Sequence, residues 1–314
     1  MSTTTLPFEA APSPAGAGPG GEPTAPNPPA HRPRLPSITW VGVALVGVFV
    51  LMALFAGRIA GYRVTELAGE PLTPPGPGHF LGTTLVDQDV ASQIVHGARM
   101  SLFMAVVAGG GTVAIGALVG MIAGWRGGRT DAVLMRVVDL FLVIPTLPLL
   151  IVLGAYAGPS MTAIAAIVAL TAWPPSSRVI RSQVLSLRRR AHLQAATGFG
   201  AHTFHVLRRH VLPEVGLIAA ASFVGAAGRA VMMEAGLAFL GLGDPTRASW
   251  GRIMRDALNF GSLFFTDAWA WWLLPPAFCI AAFLLGLTFV GIGFEQRLNP
   301  RLARHAGRNA RRSS

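Results

Sequence analysis

The chain has 314 residues, of which 52% are hydrophobic and 12% charged, against roughly a quarter charged residues in soluble globular proteins. All 25 basic residues are arginine and the single cysteine is Cys279, which excludes a Walker-type lysine loop, lysine Schiff-base chemistry, an internal disulfide and a CxxC metal site. The composition and the net charge of +11 therefore predict a basic membrane protein that has no Walker-type loop of its own for ATP hydrolysis.

The N-terminal segment, residues 1–37, is rich in Pro, Ala, Gly, Ser and Thr and holds 10 of the 24 prolines. Such a composition cannot bury enough apolar surface to offset its ordering entropy, so we predict a disordered tail. From Ile38 onward 20 residues are uncharged, long enough for a helix to cross a bilayer core of roughly 30 Å. Five further spans are predicted at 101–124, 132–157, 161 to about 178, 217–243 and 269–294. The predicted fold is all-α, a polytopic membrane protein with six transmembrane helices.

The arginines predict the orientation of these helices. With a cytoplasmic N-terminus, 17 arginines fall in inside segments, six fall outside and two fall within spans. Arginine favours the cytoplasmic side of short membrane loops. We therefore expect both termini in the cytoplasm, with residues 38–97 forming the first helix and an extracytoplasmic segment. Residues 298–314 and the preceding Arg297 would form a basic cytoplasmic tail.

Two predicted spans carry features beyond simple anchoring. Gly116, Gly120 and Gly124 recur every four residues, which would let a second helix approach at backbone distance, although membrane helices are also generally rich in glycine. Pro145 and Pro148 predict a kink in the third span.

Ionisable residues inside the spans are costly and normally face protein or water. Arg136 and Asp139 are three residues apart and are expected to pair. Arg229 and Glu234 are five apart, about 140° around a helix, so they are not expected to neutralise each other. Glu234 could make a structural hydrogen bond between helices or line a pathway.

The stretch from His192 to Pro213, HLQAATGFGAHTFHVLRRHVLP, predicts two short amphipathic helices joined by a glycine corner. Phe204, Leu207 and Val211 share one side of the second helix, which is expected to end at Pro213. Such a pair could lie on anionic lipid or dock into a cytosolic protein. Periodicity alone leaves these two alternatives open, and a histidine metal site is disfavoured because no carboxylate or cysteine completes it.

The order of residues in this stretch resembles the EAA loop of binding-protein-dependent ABC importers. The pattern of that loop is E-A-A, then three residues, G, nine further residues, and finally I, any residue, L and P. Ala195, Ala196 and Gly200 occupy matching positions, and Leu212 and Pro213 close the motif. Gln194 replaces the usual Glu, and His210 replaces the usual Ile.

The rest of the chain, over roughly residues 36 to 304, is similar to the C-type subunit of dipeptide/oligopeptide/nickel permeases. The similarity rests on the segments HFLGTTLVDQDVASQIVHGARMSL, WPPSSRVIRSQVLSLRRR, MEAGLAFLGLGDPTRASWGRIMRDA and LNPRL. A departure lies at Asp87, Gln88 and Asp89, where the family has GRD, and at Thr84, where Asp is usual.

The resemblance implies an ABC type I importer permease in the bacterial cytoplasmic membrane, contacting lipid and no nucleic acid, with a core over 98–296 and the EAA coupling loop at about 178–213. The expected partners are a homologous B-type permease, two cytosolic ATP-binding subunits that hydrolyse ATP, and an extracytoplasmic substrate-binding protein. With ATP hydrolysis in separate subunits, the resemblance implies that this chain is not itself an enzyme and binds no metal or other cofactor. The EAA residues Gln194, Ala195, Ala196, Gly200, Leu212 and Pro213 would couple the chain to the ATPase. The candidates for the translocation pathway are Asp139, Met233 and Glu234. The outer segment 244–267 would face the binding protein or form an interfacial aromatic belt. It includes Ser249, Trp250 and Gly251. The expected substrates are di- or oligopeptides, with nickel or another small solute as the alternative, and a stand-alone secondary transporter as a further one.

Overall fold

The computed structural model describes residues 37–191, 193–194 and 203–298, which belong to a compact unit beginning at Leu35. Residues 1–36 of the predicted N-terminal tail, His192, residues 195–202 and the tail from residue 299 lie outside the described residues, and what is predicted for them stays a prediction.

The described residues form helices and no strand. In chain order the helices are α1 (Ser37–Leu54), α2 (Ala56–Ile59), α3 (Val90–Phe103), α4 (Gly109–Arg126), α5 (Gly128–Val143), α6 (Thr146–Ala157), α7 (Met161–Ala172), α8 (Pro174–Arg188), α9 (Thr203–Val206), α10 (Leu212–Phe239), α11 (Trp250–Leu258) and α12 (Leu274–Leu298). Single π-helical segments at Met104–Ala108, Leu207–Val211 and Trp269–Leu273 join α3 to α4, α9 to α10, and the preceding loop to α12.

Four continuous helical segments are long and apolar enough to cross a membrane, and each of two bent helix pairs adds one more if it is a single span. The four are Ser37–Leu54, Val90–Arg126, Leu207–Phe239 and Trp269–Gln296. With α5–α6 and α7–α8 counted as bent spans, the described residues form up to six. The prediction of an all-α polytopic membrane protein is confirmed.

The third predicted span is not straight. Helices α5 and α6 meet at an angle of 85° where Ile144 adopts an extended conformation directly before Pro145. The proline ring excludes the helical conformation at the preceding residue, and proline also lacks a backbone donor. The predicted kink is confirmed, and the span predicted over 132–157 consists of two helices that could cross a membrane only as a bent pair.

The prediction that Pro213 ends the amphipathic helix is wrong. Helix continues from Thr203 to Phe239, and Pro213 lies in the first turn of α10 directly after the π-helical Leu207–Val211. Proline is tolerated at the start of an α-helix, where its missing N–H costs least. A π-helical turn relaxes the regular hydrogen-bond register there. The stretch 192–213, which we call the coupling stretch after its predicted role, therefore runs from residue 203 into the membrane helix without a break.

The glycine stripe of α4 packs directly against α8. A Cβ atom built on Gly120 would lie 2.5 Å from the backbone oxygen of Ser177, and one on Gly116 would lie 2.7 Å from Cβ of Ser176. A Cβ atom built on Gly124 would lie 2.9 Å from Cβ of Val184. The prediction of a helix at backbone distance is confirmed, and α4 and α8 are held together as one unit.

Candidate functional site

The arginine-rich end of the bundle contains a small apolar cluster, which we call the end cluster. It brings together α8, residue 193, α9, the adjoining π-helical turn and the first turn of α10. Its buried members are Ile180, Val184, Leu187, Leu193, Val206, Val211 and Val215. Because α8 also packs on the glycine stripe, the end cluster joins the coupling stretch to the membrane helices through apolar contacts on both sides.

Three of the residues predicted to couple the chain to an ATPase are described by the structure, and they lie on the outside of the end cluster. Gln194, Leu212 and Pro213 are exposed, and the backbone N–H of Gln194 donates to the carbonyl oxygen of Arg190 over 3.1 Å. Ala195, Ala196 and Gly200 lie outside the described residues. The predicted amphipathic pattern is confirmed where it is described, because Val211 is buried while Arg209 is exposed.

An ion pair fastens the start of α10 to the chain after α8. Arg190 Nη1 lies 2.6 Å from Glu214 Oε1, and both side chains are nearly half exposed. Sequence reasoning missed this pair because 24 residues separate its members. The only available signal was the acid directly after the Leu-Pro pair, in a stretch otherwise rich in arginine.

Two further ion pairs connect α5 to α8. Arg181 makes a two-pronged contact with Asp131, in which Nε and Nη2 each lie 2.5 Å from a carboxylate oxygen. Arg178 Nη2 lies 2.6 Å from Asp139 Oδ1. The expected Arg136–Asp139 pair is therefore wrong, since the packing of α5 beside α8 offers Asp139 a closer cation than its own helix does.

A groove of about 960 Å³ opens between α8, α10 and α12. Its polar lining residues are Gln183, Ser222, Arg229, Thr288 and Glu295. A Cβ atom built on Gly225 would lie 3.5 Å from Arg229 Nη1, so the guanidinium lies over the preceding turn, near the middle of the Leu207–Phe239 helix. Within the described part of the chain, Arg229 makes no ion pair.

An exposed, unpaired arginine at this depth is poorly suited to lipid. Insertion of arginine at a helix centre costs about 2.5–3.5 kcal/mol, and such side chains normally face protein or water. The groove face of α10 is therefore the side of the chain on which we expect a partner subunit or an aqueous passage. Sequence reasoning noted Arg229 but did not place it among the pathway candidates.

The three predicted pathway residues lie elsewhere. Asp139 binds Arg178, and Met233 packs against the main core, whereas its neighbour Met232 lines the groove. The Glu234 carboxylate is only 2% exposed and accepts a 2.7 Å hydrogen bond from Ser249 Oγ. This hydrogen bond matches the structural alternative for Glu234, and a pathway role for the three residues stays a prediction.

The end opposite the arginine-rich one is closed by buried side chains. Trp250 is 1% exposed, and its Nε1–H donates to the carbonyl oxygen of Ile94 over 3.0 Å. Gly251 packs on the backbone of Ala235, where a side chain would not fit. Ser249, Trp250 and Gly251 are all buried in the core of the bundle. The three therefore form neither an exposed docking surface nor an interfacial belt.

Residues 87–89, where the chain departs from its resemblance, have a local structural role. Asp89 caps α3 by accepting the Ser92 N–H over 2.7 Å, and it also lies 3.2 Å from Nδ1 of His79. Asp87 adopts a left-handed conformation with φ of 60°. An acid at a helix N-cap satisfies free backbone donors, so Asp89 fixes where the second long helical segment begins.

Comparisons with known proteins show which family this chain resembles. Residues 116–304 match the family model of the binding-protein-dependent transport system inner membrane component. The chain is 32% identical to the dipeptide transport system permease protein DppC of Bacillus subtilis, over 83% of each chain. It is 31% identical to the oligopeptide transport system permease protein OppC of that organism, over 86% of this chain and 88% of the relative. With DppC of Alkalihalophilus pseudofirmus it shares 31% identity, over 83% of this chain and 85% of the relative.

The matched region contains the glycine stripe, the end cluster, the groove and the buried Ser249–Gly251 segment. The chain therefore belongs to the binding-protein-dependent transport system inner membrane component family, as a multi-pass permease component with the ABC type I importer fold.

Proposed function

We propose that this chain is one of two membrane subunits of an ATP-driven importer that carries di- or oligopeptides across the bacterial cytoplasmic membrane. The peptide substrate class is supported by the relatives, which are named as dipeptide and oligopeptide permeases. None of these names favours the nickel alternative, and membership of a binding-protein-dependent family argues against a stand-alone secondary transporter.

The observation that carries the proposal is the rigid connection from the coupling stretch to the membrane helices. Leu193 and the apolar residues between 206 and 215 pack on α8 in the end cluster, and α8 packs on α4 at backbone distance. A force applied at residue 193 or at residues 206–215 would therefore be transmitted to α8 by packed side chains. Such a connection is what a separate motor subunit needs in order to move a pathway.

The partners follow from this division of labour. With no lysine for a phosphate-binding loop, ATP hydrolysis would be performed by two cytosolic ATP-binding subunits that dock at the arginine-rich end. A B-type permease would complete the pathway on the groove face of α10, where Arg229 is exposed at membrane depth. A substrate-binding protein would deliver the peptide at the opposite, extracytoplasmic end, with both termini of this chain in the cytoplasm.

In this mechanism the peptide crosses between the two permeases. Closure of the ATPase pair on ATP would displace the coupling stretch, and the unit formed by α4 and α8 would follow. Because Leu207–Phe239 is one continuous helix, the same displacement would reach the groove through α10. The passage would thereby alternate between openings on its two sides.

Adding positive charge to the coupling stretch tests whether the ATP-binding subunits dock there. Leu212→Arg and Ala196→Arg should abolish co-purification with the ATP-binding subunits and peptide-stimulated ATP hydrolysis, because each puts a long cation into the proposed contact. The matched control is Ala132→Arg, which adds the same side chain at an exposed position of α5 near the arginine-rich end. If both coupling variants bind and stimulate the ATPase as Ala132→Arg does, the proposed dock is refuted.

A further inference from the structure

Three arginines and a histidine surround one pocket at the end opposite the arginine-rich one. This basic pocket has a volume of about 370 Å³, and its charged or titratable lining residues are Arg63, His96, Arg99 and Arg247. They come from three separate parts of the chain: the loop after α2, helix α3 and the loop after α10. Their convergence is a property of the fold that no local sequence pattern shows.

The wall formed by the loop after α2 is fixed to α3. The backbone N–H of Tyr62 donates to Ser92 Oγ over 3.3 Å, and Nε2 of His96 lies 3.3 Å from the Tyr62 carbonyl oxygen. Arg99 Nε donates to the carbonyl oxygen of Ala53 over 2.9 Å, which holds the base of its guanidinium in place. Arg63 and Arg99 are therefore presented from an ordered wall and remain exposed.

The opposite wall is ordered by Asp244. Its carboxylate accepts hydrogen bonds from the backbone N–H and the hydroxyl of Thr246, over 2.9 and 2.6 Å. Burial alone would raise the pKa of the Asp244 carboxyl, but these hydrogen bonds, the charge of Arg247 and a backbone contact with Met161 hold that pKa below its usual value. The carboxylate is thus ionised at neutral pH and fixes the loop that carries Arg247.

The pocket has more positive charge than its own acids neutralise. Asp244 lies 3.7 Å from Arg247, whose side chain is 62% exposed, and it is the only described carboxylate within 4.0 Å of a lining arginine. Glu66 is close by, but the contact it makes is with the backbone N–H of Arg63, over 2.9 Å. At least two guanidinium groups thus face the pocket without an acidic partner within the described residues.

We propose that the basic pocket receives acidic side chains of the substrate-binding protein when it docks on the extracytoplasmic face. This inference rests on the proposed function, which places a binding protein at this end. Guanidinium groups bind carboxylates in a two-pronged geometry, and complementary charges at the rim of an interface mainly raise the association rate and its salt dependence. The pocket would thus orient the loaded binding protein over the membrane subunits.

The test uses the complete transporter in nanodiscs and a peptide-loaded binding protein that stimulates ATP hydrolysis by the wild-type complex. In the double variant Arg63→Gln/Arg247→Gln we expect the affinity for that binding protein to fall about tenfold at low salt. Between about 50 and 300 mM salt, the affinity should also change less than in the wild type. ATP hydrolysis without binding protein should be unchanged. The control is Arg58→Gln, an exposed arginine of α2 that does not line the pocket, which should alter the affinity by less than about twofold.

An affinity of the double variant equal to that of Arg58→Gln would overturn the inference. A loss that occurs only in nanodiscs containing anionic lipid would also overturn it, because the pocket would then hold lipid headgroups. If no peptide-loaded binding protein stimulates even the wild-type complex, the proposed function itself fails, and that result is distinct from a normal wild type with an unaffected double variant.

Discussion

Single glycines set how closely α4 and α8 approach. The distance between Gly120 and the backbone of Ser177 leaves no room for a methyl group, and the neighbours concerned are backbone atoms that cannot rotate away. The four-residue spacing predicted a close helix contact, but it could not tell which helix would fill the stripe. The partner is α8, and that identity depends on the tertiary fold.

The change Gly120→Ala should therefore destabilise the protein. Alanine is favoured over glycine in a helix by about 1 kcal/mol, but overpacking of a tight contact costs typically 1–3 kcal/mol. Gly216→Ala, on α10 with no atom within 4 Å of the added Cβ, provides the matched control and should be neutral or stabilising. Unfolding of the purified protein in mild detergent measures both. A Gly120→Ala protein as stable as Gly216→Ala would show that α4 and α8 separate easily.

Glu234 and Ser249 form a buried hydrogen bond between α10 and the residue that precedes α11. The sequence offered two roles for Glu234, and the 15-residue separation from Ser249 gave no reason to connect them. The loop between Phe239 and Trp250 returns Ser249 to the helix, which is a consequence of the turn geometry and not of helical periodicity.

Removal of the hydroxyl in Ser249→Ala should leave the buried carboxylate without this donor. An unsatisfied buried polar group costs about 1–3 kcal/mol, and the variant should lose stability by about that amount. Ser262→Ala, at an exposed serine in the same outer segment, should have little effect. Chemical denaturation in detergent would compare the two, and equal stability would mean that Glu234 is satisfied in another way.

At the level of the helices, ion pairs and prolines determine where the helices bend and how they pack on each other. The kink at Pro145 could be predicted because proline restricts its own backbone and that of the residue before it. Pro213 was misjudged because the preceding π-helical turn accommodates it, and nothing in the local sequence marks that turn. The Asp139 pairing was also misjudged, because helical spacing considers only partners on the same helix.

The two α5–α8 ion pairs should differ in strength. Arg181 and Asp131 are 31% and 17% exposed and make two parallel hydrogen bonds, whereas Arg178 and Asp139 are 54% and 46% exposed and make one. Loss of the first pair should cost on the order of 1–3 kcal/mol and loss of the second less than about 1 kcal/mol. Thermal unfolding of Arg181→Gln and Arg178→Gln would measure this difference. A larger loss in Arg178→Gln would contradict the assignment.

At the scale of the whole molecule, the groove face distinguishes one side of the bundle from the others. Composition predicted the membrane class, and residue order predicted the family, because both are carried by short segments of the chain. The groove and the basic pocket could not be predicted, since the groove assembles residues from three distant segments of the chain and the pocket from four. Charge counting gave the number of outer arginines, but it gave no sign that three of them meet.

Accessibility to water tests the groove face. In a Cys279→Ala background, Met232→Cys in the assembled transporter should react with a water-soluble maleimide, because the residue is 62% exposed in the chain and lines the groove with Arg229. Val48→Cys, 59% exposed on α1 within a predicted lipid-facing span, serves as the control and should react slowly. The ratio of labelling rates is the measurement. Equal, slow labelling of both cysteines would place lipid or a tight protein contact at the groove and would contradict an aqueous passage.

If the proposed function is right, this chain is an obligatory membrane subunit of a peptide importer. The most direct measurement is the uptake of a radiolabelled dipeptide into proteoliposomes that contain this chain, a B-type permease and the ATP-binding subunits, with the loaded binding protein outside. We expect uptake that requires ATP hydrolysis and the binding protein and that disappears when this chain is omitted. Peptide uptake by this chain alone without ATP, or undiminished uptake without this chain, would contradict it.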